Sequence, residues 1–308
     1  MTAVVTRQLT KCYRHVRALA GLDLSVPAGS IFGFLGPNGA GKTTALRILV
    51  GLLRPTSGEA SVLGRRAWKD SPAIRRQVGY LPGDVRFHEW MTGAAFLAFC
   101  DRARGSGSRE QIARLRERFD LDVNRRIRDY SRGMKQKLGL MQALMHRPAL
   151  LILDEPTTAL DPLMQQALFA ELRAAAAEGR TVLFSSHTLS EVQSLCDRVA
   201  IIRRGRIVED GTVADLRKRA VRRVEFQLKT GDASRLQFPP GLTAQPDHDG
   251  MVRGSWNGPV DRLLAWLASI DVEDATIEPP SLEDLFTAYY REEAGGAESP
   301  PAKGGGAG

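Results

Sequence analysis

The chain has 308 residues, with 43 Lys+Arg against 35 Asp+Glu, a formal charge of +8, 43% apolar residues and 25% charged residues. This composition excludes a disordered or collagen-like chain, and the length suggests about two domains, each large enough to bury its own core. Cys12, Cys100 and Cys196 are far apart and outside any CxxC pair, which argues against a disulfide framework or zinc site and for a reducing compartment. The N-terminus, MTAVVTRQLTKCYR, lacks the apolar run and cleavage site of a signal peptide. No stretch approaches the roughly 18 apolar residues that span a bilayer, so the chain is expected to be soluble or peripheral. The most apolar helical candidate, residues 45–53, is short and carries Arg47. Of the cationic residues 35 are arginine, mostly interleaved with acids, and the densest cluster (Arg217, Lys218, Arg219, Arg222, Arg223) reads as solvated surface.

In chain order, residues 1–30 alternate like strands, with turn signals at Ala20-Gly21 and Pro27-Ala28-Gly29. Residues 30–35 read as a short buried strand, and residues 43–53 as a helix ending near Gly51. Residues 92–120 are helical, broken by Gly105-Ser106-Gly107-Ser108, and residues 132–145 form a further helix. Residues 150–153 form an apolar run between Pro148 and Pro156, the pattern of a buried parallel strand. Strands are expected at 181–185 and 199–202, with helices at 162–178 and 189–196. This strand–helix alternation predicts an α/β fold with a helix-covered parallel sheet. After about residue 220 the texture changes to a small α+β module: strands at 224–228 and 251–256, and amphipathic helices at 260–269 and 281–290, with Ser281 and Asp284 close to a capping box. Residues 292–308 are rich in Gly, Ala, Pro and Glu and are expected to be disordered.

Gly36-Pro37-Asn38-Gly39-Ala40-Gly41-Lys42-Thr43-Thr44 fits GxxxxGK[ST] between a strand and a helix, the context of a phosphate-binding loop. Glycines let successive backbone N–H groups wrap phosphates, and the helix N-terminus adds positive potential. Lys42 is placed to reach the β- and γ-phosphates and Thr43 to hold Mg²⁺. The run at 150–153 ends in Asp154-Glu155: Asp154 can hold the hydrated Mg²⁺, and Glu155 can orient and deprotonate the attacking water.

At these motifs the sequence resembles the ATP-binding cassette (ABC) ATPases over about residues 1–215. The resemblance implies a P-loop NTPase (RecA-like) core with antiparallel β and helical subdomains, ATP and Mg²⁺ as ligands, and ATP hydrolysis as the activity. It sets the cassette at residues 1–219, its helical subdomain at about 88–148, an accessory α+β domain at 220–291 and the tail at 292–308. Tyr130-Ser131-Arg132-Gly133-Met134 is similar to the family's LSGGQ signature but departs at its first, third and fifth places. The resemblance makes Ser131, Arg132, Gly133 and Met134 a second phosphate cradle, serving ATP bound to the opposite subunit. Ala159-Leu160-Asp161 resembles the D-loop, His187 the switch histidine that contacts the γ-phosphate, and Tyr13 the aromatic that stacks on adenine.

One departure stands out: Gly83 occupies the place where family members typically carry a Mg²⁺-binding Gln. Asp84, one residue on, is expected to take over part of that role. One phosphate loop and one signature cradle cannot face each other within one cassette, so two chains are expected to pair head-to-tail around two MgATP. Phe87-His88-Glu89-Trp90-Met91 lies where the family docks the coupling helix of a transmembrane permease; packing of the joint with the helical subdomain is the other reading. In the combination of Tyr80-Leu81-Pro82-Gly83-Asp84, Tyr130-Ser131-Arg132-Gly133-Met134-Lys135-Gln136-Lys137 and the C-terminal Pro280-Ser281-Leu282-Glu283-Asp284-Leu285-Phe286, the chain is similar to ATPase subunits of prokaryotic drug, antibiotic and lipid exporters of the ABC-2, daunorubicin-resistance-like type. The implied partners are a permease and a second ATPase subunit, with no nucleic acid, at the cytoplasmic face of the cell membrane. The alternatives are a soluble ABC ATPase acting on ribosomes or DNA, which one cassette without sustained heptads fits poorly, and an importer ATPase.

Overall fold

The computed structural model describes residues 1–219, 222–229, 236–247 and 251–278. The expected helix at 281–290, its capping box and the tail at 292–308 lie outside the described residues. The chain divides into two compact units, Met1–Val213 and Ala214–Gly308.

The first unit begins with two long strands, β1 (Thr2–Tyr13) and β2 (Val16–Pro27), followed by β3 (Ile31–Leu35) and α1 (Lys42–Leu49). Next come β4 (Ser57–Val62), β5 (Arg65–Arg66), α2 (Ser71–Gln77) and β6 (Val78–Leu81). Three helices follow: α3 (Gly93–Ala103), α4 (Arg109–Arg118) and α5 (Arg132–Leu144). The unit then alternates as β7 (Leu150–Asp154), α6 (Pro162–Ala177), β8 (Thr181–Ser186), α7 (Leu189–Leu195), β9 (Arg198–Arg203) and β10 (Arg206–Thr212). The helix α8 (Val213–Arg219) leads into β11 (Arg222–Leu228), β12 (Leu242–Pro246), β13 (Met251–Trp256), α9 (Val260–Leu267) and β14 (Val272–Ile277).

The first unit holds two sheets. One is antiparallel with order β2-β1-β4-β5; the other runs β10-β9-β3-β8-β7-β6, parallel from β9 to β6 with β10 antiparallel at one edge. Strands β3, β7 and β8 are buried along their whole length, which is why they read as continuous apolar runs. Between the sheets, α1 contributes Ala45, Leu46, Ile48 and Leu49 to a core that also holds Phe32, Phe34, Leu22, Leu24 and Ile152. Each such large side chain, removed from water, contributes about 2–3 kcal/mol. Gly51, at φ 68°, follows the cap of α1, and Leu52 N–H donates back to Arg47 O at 2.9 Å, so the helix closes at Leu49.

One expected turn moves. The reversal between the first two strands is at Arg14-His15, while Ala20-Gly21 lies inside β2, at a register shift between the pairs Leu9↔Leu22 and Thr10↔Ala20. Gly21 has φ 80°, so the signal marks a bulge rather than a chain reversal. Phe87 packs its ring on Phe96 of α3 at 5.0 Å, edge to face, so this half of the aromatic patch does pack the joint with the helices. Trp90 is 73% exposed.

The second unit contains a four-stranded antiparallel sheet, β12-β13-β11-β14. Its core joins Val224, Phe226, Val252 and Trp256 to Leu263 and Leu267 of α9, with Phe226 and Trp266 edge to face at 5.6 Å. Arg222 and Arg223 of the basic cluster fall on β11.

Candidate active site

Sheet order decides which loops meet. In the parallel sheet β8 lies between β3 and β7, so the C-terminal ends of three neighbouring strands deliver three loops to one place. Ligands of open α/β sheets bind at such carboxyl ends. The end of β3 opens the loop at residues 36–41, the end of β7 carries Asp154 and Glu155, and the end of β8 leads to His187.

The loop closes on α1 through Gly41, whose φ of 110° excludes a β-carbon-bearing residue without strain. Pro37, Asn38, Gly39, Gly41, Lys42, Thr43 and Thr44 line a cleft of about 150 Å³, together with Ala18 and Glu155. Ala40 is buried behind it. The Lys42 side chain is 4% exposed, and its ammonium donates to Gly36 O at 2.6 Å and Pro37 O at 3.1 Å. Glu155 Oε1 stands 3.4 Å from Lys42 Nζ and 3.3 Å from His187 Nδ1, so one carboxylate joins the loop to the end of β8. Glu155 has φ 50°, a sparsely populated conformation for a non-glycine residue.

Below the cleft, Asp154 is fully buried. Its Oδ1 accepts from Ser185 Oγ at 2.7 Å, and its Oδ2 is buried without a hydrogen-bond partner. A buried carboxylate oxygen without a donor is costly unless a cation meets it. Thr43 in the cleft lining and this oxygen fit Mg²⁺, which takes few protein oxygens and completes its shell with phosphates and water. Gly83 sits over the same oxygen: a β-carbon there would lie 3.3 Å from Asp154 Oδ2. Asp84 instead points to Arg86, with its Oδ2 2.9 Å from the guanidinium, and its side chain is 68% exposed. Tyr80, beside Asp154, has its phenol pushed up to about 12 by burial and then by the Asp154 charge, so it stays neutral.

The remaining sequence candidates do not line this cleft. Ser131 caps α5, its Oγ accepting from Met134 N at 3.2 Å, and Ser131 and Arg132 are exposed. Gly133 allows a close approach within the chain, since a β-carbon would lie 2.8 Å from Ala159 O. Asp161 caps α6 by accepting from Met164 N at 2.9 Å. Tyr13 ends β1 with Lys11 Nζ 5.2 Å from its ring centroid.

Two residues at the site escaped the sequence reading. Ser185 Oγ accepts from the Glu155 backbone N–H at 3.1 Å while donating to the Asp154 carboxylate, so one hydroxyl ties Asp154 to the backbone that carries Glu155. Gln136 is buried in α5, and its Nε2 donates to Pro156 O at 3.0 Å, holding the turn after Glu155. Ser185 carried no signal because it closes the apolar run 182–184 as an ordinary strand-end serine. Gln136, a polar residue among buried neighbours of α5, could have been noticed from helical phase.

Sequence comparison assigns this architecture. The ABC transporter family matches residues 19–158. The chain is 39% identical over 306 residues to the daunorubicin/doxorubicin resistance ATP-binding protein DrrA of Streptomyces peucetius, covering 93% of this chain and 92% of that one. It is 34% identical over 295 residues to the bacitracin transport ATP-binding protein BcrA of Bacillus licheniformis, covering 92% of this chain and 96% of that one. This chain belongs to the ABC transporter ATP-binding proteins. A solved ATP-binding subunit of an ABC transporter superposes on it with a TM-score of 0.67 at 30% identity, covering 71% of this chain and 93% of that one. The ABC ATPase thus binds and hydrolyses ATP as its family does, on a P-loop NTPase fold. No helix among its described residues is long and apolar enough to cross a membrane.

Proposed function

We propose that this ABC ATPase is the motor subunit of an exporter, acting as a head-to-tail pair on a separate transmembrane permease. Drugs, antibiotics or lipids are the proposed cargo class, supported by the daunorubicin, doxorubicin and bacitracin named for its relatives. The single observation that carries the chemistry is Glu155 Oε1, held between Lys42 Nζ and His187 Nδ1 at the mouth of the phosphate cleft. Lys42 and the free backbone N–H groups of the loop and the start of α1 bind the β- and γ-phosphates, and Tyr13 stacks on the adenine. Thr43 and Asp154 would hold Mg²⁺, which supplies charge neutralisation of the phosphate oxygens when bound. Glu155 orients the attacking water and takes its proton, and His187 donates to the γ-phosphate. Ser131, Arg132, Gly133 and Met134 cover ATP on the opposite subunit, with Asp161 at the same interface.

ATP then contributes contacts only in the closed pair and shifts the pair toward closure, and loss of the γ-phosphate reopens it. That cycle drives a permease docked beside Trp90, at the cytoplasmic face of the membrane. Asp84 shares the metal role vacated by Gly83 after leaving Arg86; Asp84→Ala is expected to lower MgATP hydrolysis several-fold, and unchanged hydrolysis would remove Asp84 from the site. The reading as a whole is tested by tagging this chain, extracting the native membrane with detergent and identifying stoichiometric companions. A polytopic membrane protein is the expected result. Recovery of the chain alone, or with ribosomes or DNA, would refute the transporter role while leaving the ATP chemistry intact.

A further inference from the structure

The strand β8 ends in two buried serines, Ser185 and Ser186. Successive strand residues leave opposite faces of a sheet, so the two hydroxyls serve different neighbours. Ser185 ties the Asp154 carboxylate to the Glu155 backbone, as described above. On the other face, Ser186 Oγ donates to Glu191 Oε2 at 2.6 Å and accepts from Thr188 N–H at 2.8 Å. Thr188 O lies 3.2 Å from the same hydroxyl, and the closer, charged carboxylate wins its one proton. The Ser186 carbonyl accepts from Gly36 N–H at 3.2 Å, at the first residue of the phosphate loop. His187 therefore stands between Ser186, fixed through its hydroxyl and its carbonyl, and Thr188, fixed through its N–H.

The His187 side chain is 51% exposed, with Nδ1 3.3 Å from Glu155 Oε1. A ring so exposed has little packing to hold it, and the backbone on either side sets where it can reach. Glu191 supplies a firm anchor for that backbone. It lies in the first turn of α7, whose Leu189, Val192 and Leu195 are buried. A β-carbon at Gly33 of β3 would lie 2.8 Å from Val192 Cγ1, so α7 rests closely on the sheet. A glutamate at the third position of a helix ordinarily turns back to the N–H of the cap residue. Here the Thr188 N–H goes to Ser186 Oγ, and Glu191 reaches one hydrogen bond further back, across His187.

We propose that Glu191, acting through Ser186, is a positioning residue for His187 in ATP hydrolysis. The pair holds the short turn after β8 so that the imidazole meets Glu155 and the γ-phosphate together; this rests on the role proposed for His187 above. The two serines divide the work. Ser185 fixes the strand end that carries the carboxylates, and Ser186 fixes the turn that carries the imidazole. Without Glu191 the Ser186 hydroxyl is free to turn to Thr188 O, and the His187 turn loses its tie to α7.

The test measures kcat and KM for MgATP in the full chain and in Glu191→Ala, Glu191→Gln, His187→Ala and the double variant of Glu191→Ala with His187→Ala. Glu191→Ala is expected to lower kcat about five- to tenfold, as loss of a charge-assisted hydrogen bond predicts, with KM little changed. Glu191→Gln, whose amide oxygen can still accept the Ser186 proton, is expected to recover most of the rate. In the His187→Ala background, Glu191→Ala is expected to cost less than about twofold, because the group it positions is gone. A role in capping α7 alone would lower the thermal midpoint of Glu191→Ala and leave kcat in place. Glu191 is half-buried, and a melt checks that each variant folds. Should Glu191→Ala fail to fold, Ser186→Ala, with and without His187, makes the same comparison. Wild-type hydrolysis in His187→Ala would overturn the γ-phosphate role of His187 and this inference with it. Slow hydrolysis in His187→Ala overturns the positioning role alone if Glu191→Ala keeps the wild-type kcat, if its loss is undiminished without His187, or if Glu191→Gln is as slow as Glu191→Ala.

Discussion

The Gly-containing turns that open α1 and α5 are built differently. At the loop of residues 36–41 the turn is wired into the sheet: Lys42 is buried, bonded to two loop carbonyls and set against Glu155, which in turn faces His187. At residues 131–134 the turn exposes Ser131 and Arg132, and Ser131 Oγ is spent on capping α5. The first turn is preorganised for charge by three strands. The second presents helix N–H groups to solvent and carries no catalytic side chain of its own. The difference lies in the sheet, which brings charged side chains from neighbouring strand ends to the first turn and not to the second.

The sharpest way to break that contrast is Glu155→Gln. Loss of a general base lowers hydrolysis by about 10²–10⁴-fold. ATP binding should persist, and an ATP-bound dimer should accumulate on size-exclusion chromatography. Phosphate release at the wild-type rate would show that the wired turn is not the reaction site. Ser185→Ala comes next, because it frees both Asp154 and Glu155 from one hydroxyl. Loss of such an orienting partner typically costs about tenfold or more, and it should appear as a weaker Mg²⁺ dependence of hydrolysis.

Ser131→Ala probes the second turn. Removing the cap costs about 1 kcal/mol of stability by chemical denaturation. The partnered reading adds slower hydrolysis with unchanged ATP binding by the isolated chain; an equal loss of both would return Ser131 to a capping role alone. The far end of α5 gives the pH test. His146 titrates near 4 when folded, against an ordinary value of 6.5, so the unfolded chain binds a proton that the folded one refuses. Its contribution is therefore complete above about pH 6.5 and is lost as pH falls toward 4, on the order of 2 kcal/mol after discounting for partial exposure. Urea melts of the wild type and His146→Gln in phosphate-free buffer check this; the same acid slope in both would locate the loss elsewhere.

The phosphate loop, Asp154-Glu155 and the buried strands were legible because each is a local pattern: glycine spacing fixes a turn, and an unbroken apolar run needs burial on both faces. The second unit was legible as texture, and its strands at 224–228 and 251–256 fall within β11 and β13. Residues 57–66, 206–212, 242–246 and 272–277 gave no clear strand signal, since edge and half-exposed strands mix polar residues into their period. Ala20-Gly21 misled for a related reason: glycine with positive φ serves a bulge as readily as a turn, and only cross-strand register tells them apart.

By itself the sequence determined the nucleotide chemistry, because a turn that wraps phosphates and a strand ending in carboxylates are specified within a few neighbouring residues. The tertiary structure alone decided what those groups meet. The order of β3, β8 and β7 sets Glu155 between Lys42 and His187, Ser185 joins the Asp154 carboxylate to the Glu155 backbone, and Arg104 and His146 line a second cleft. These contacts link residues far apart in the chain, and packing of sheet and helices, which no local pattern encodes, brings them together.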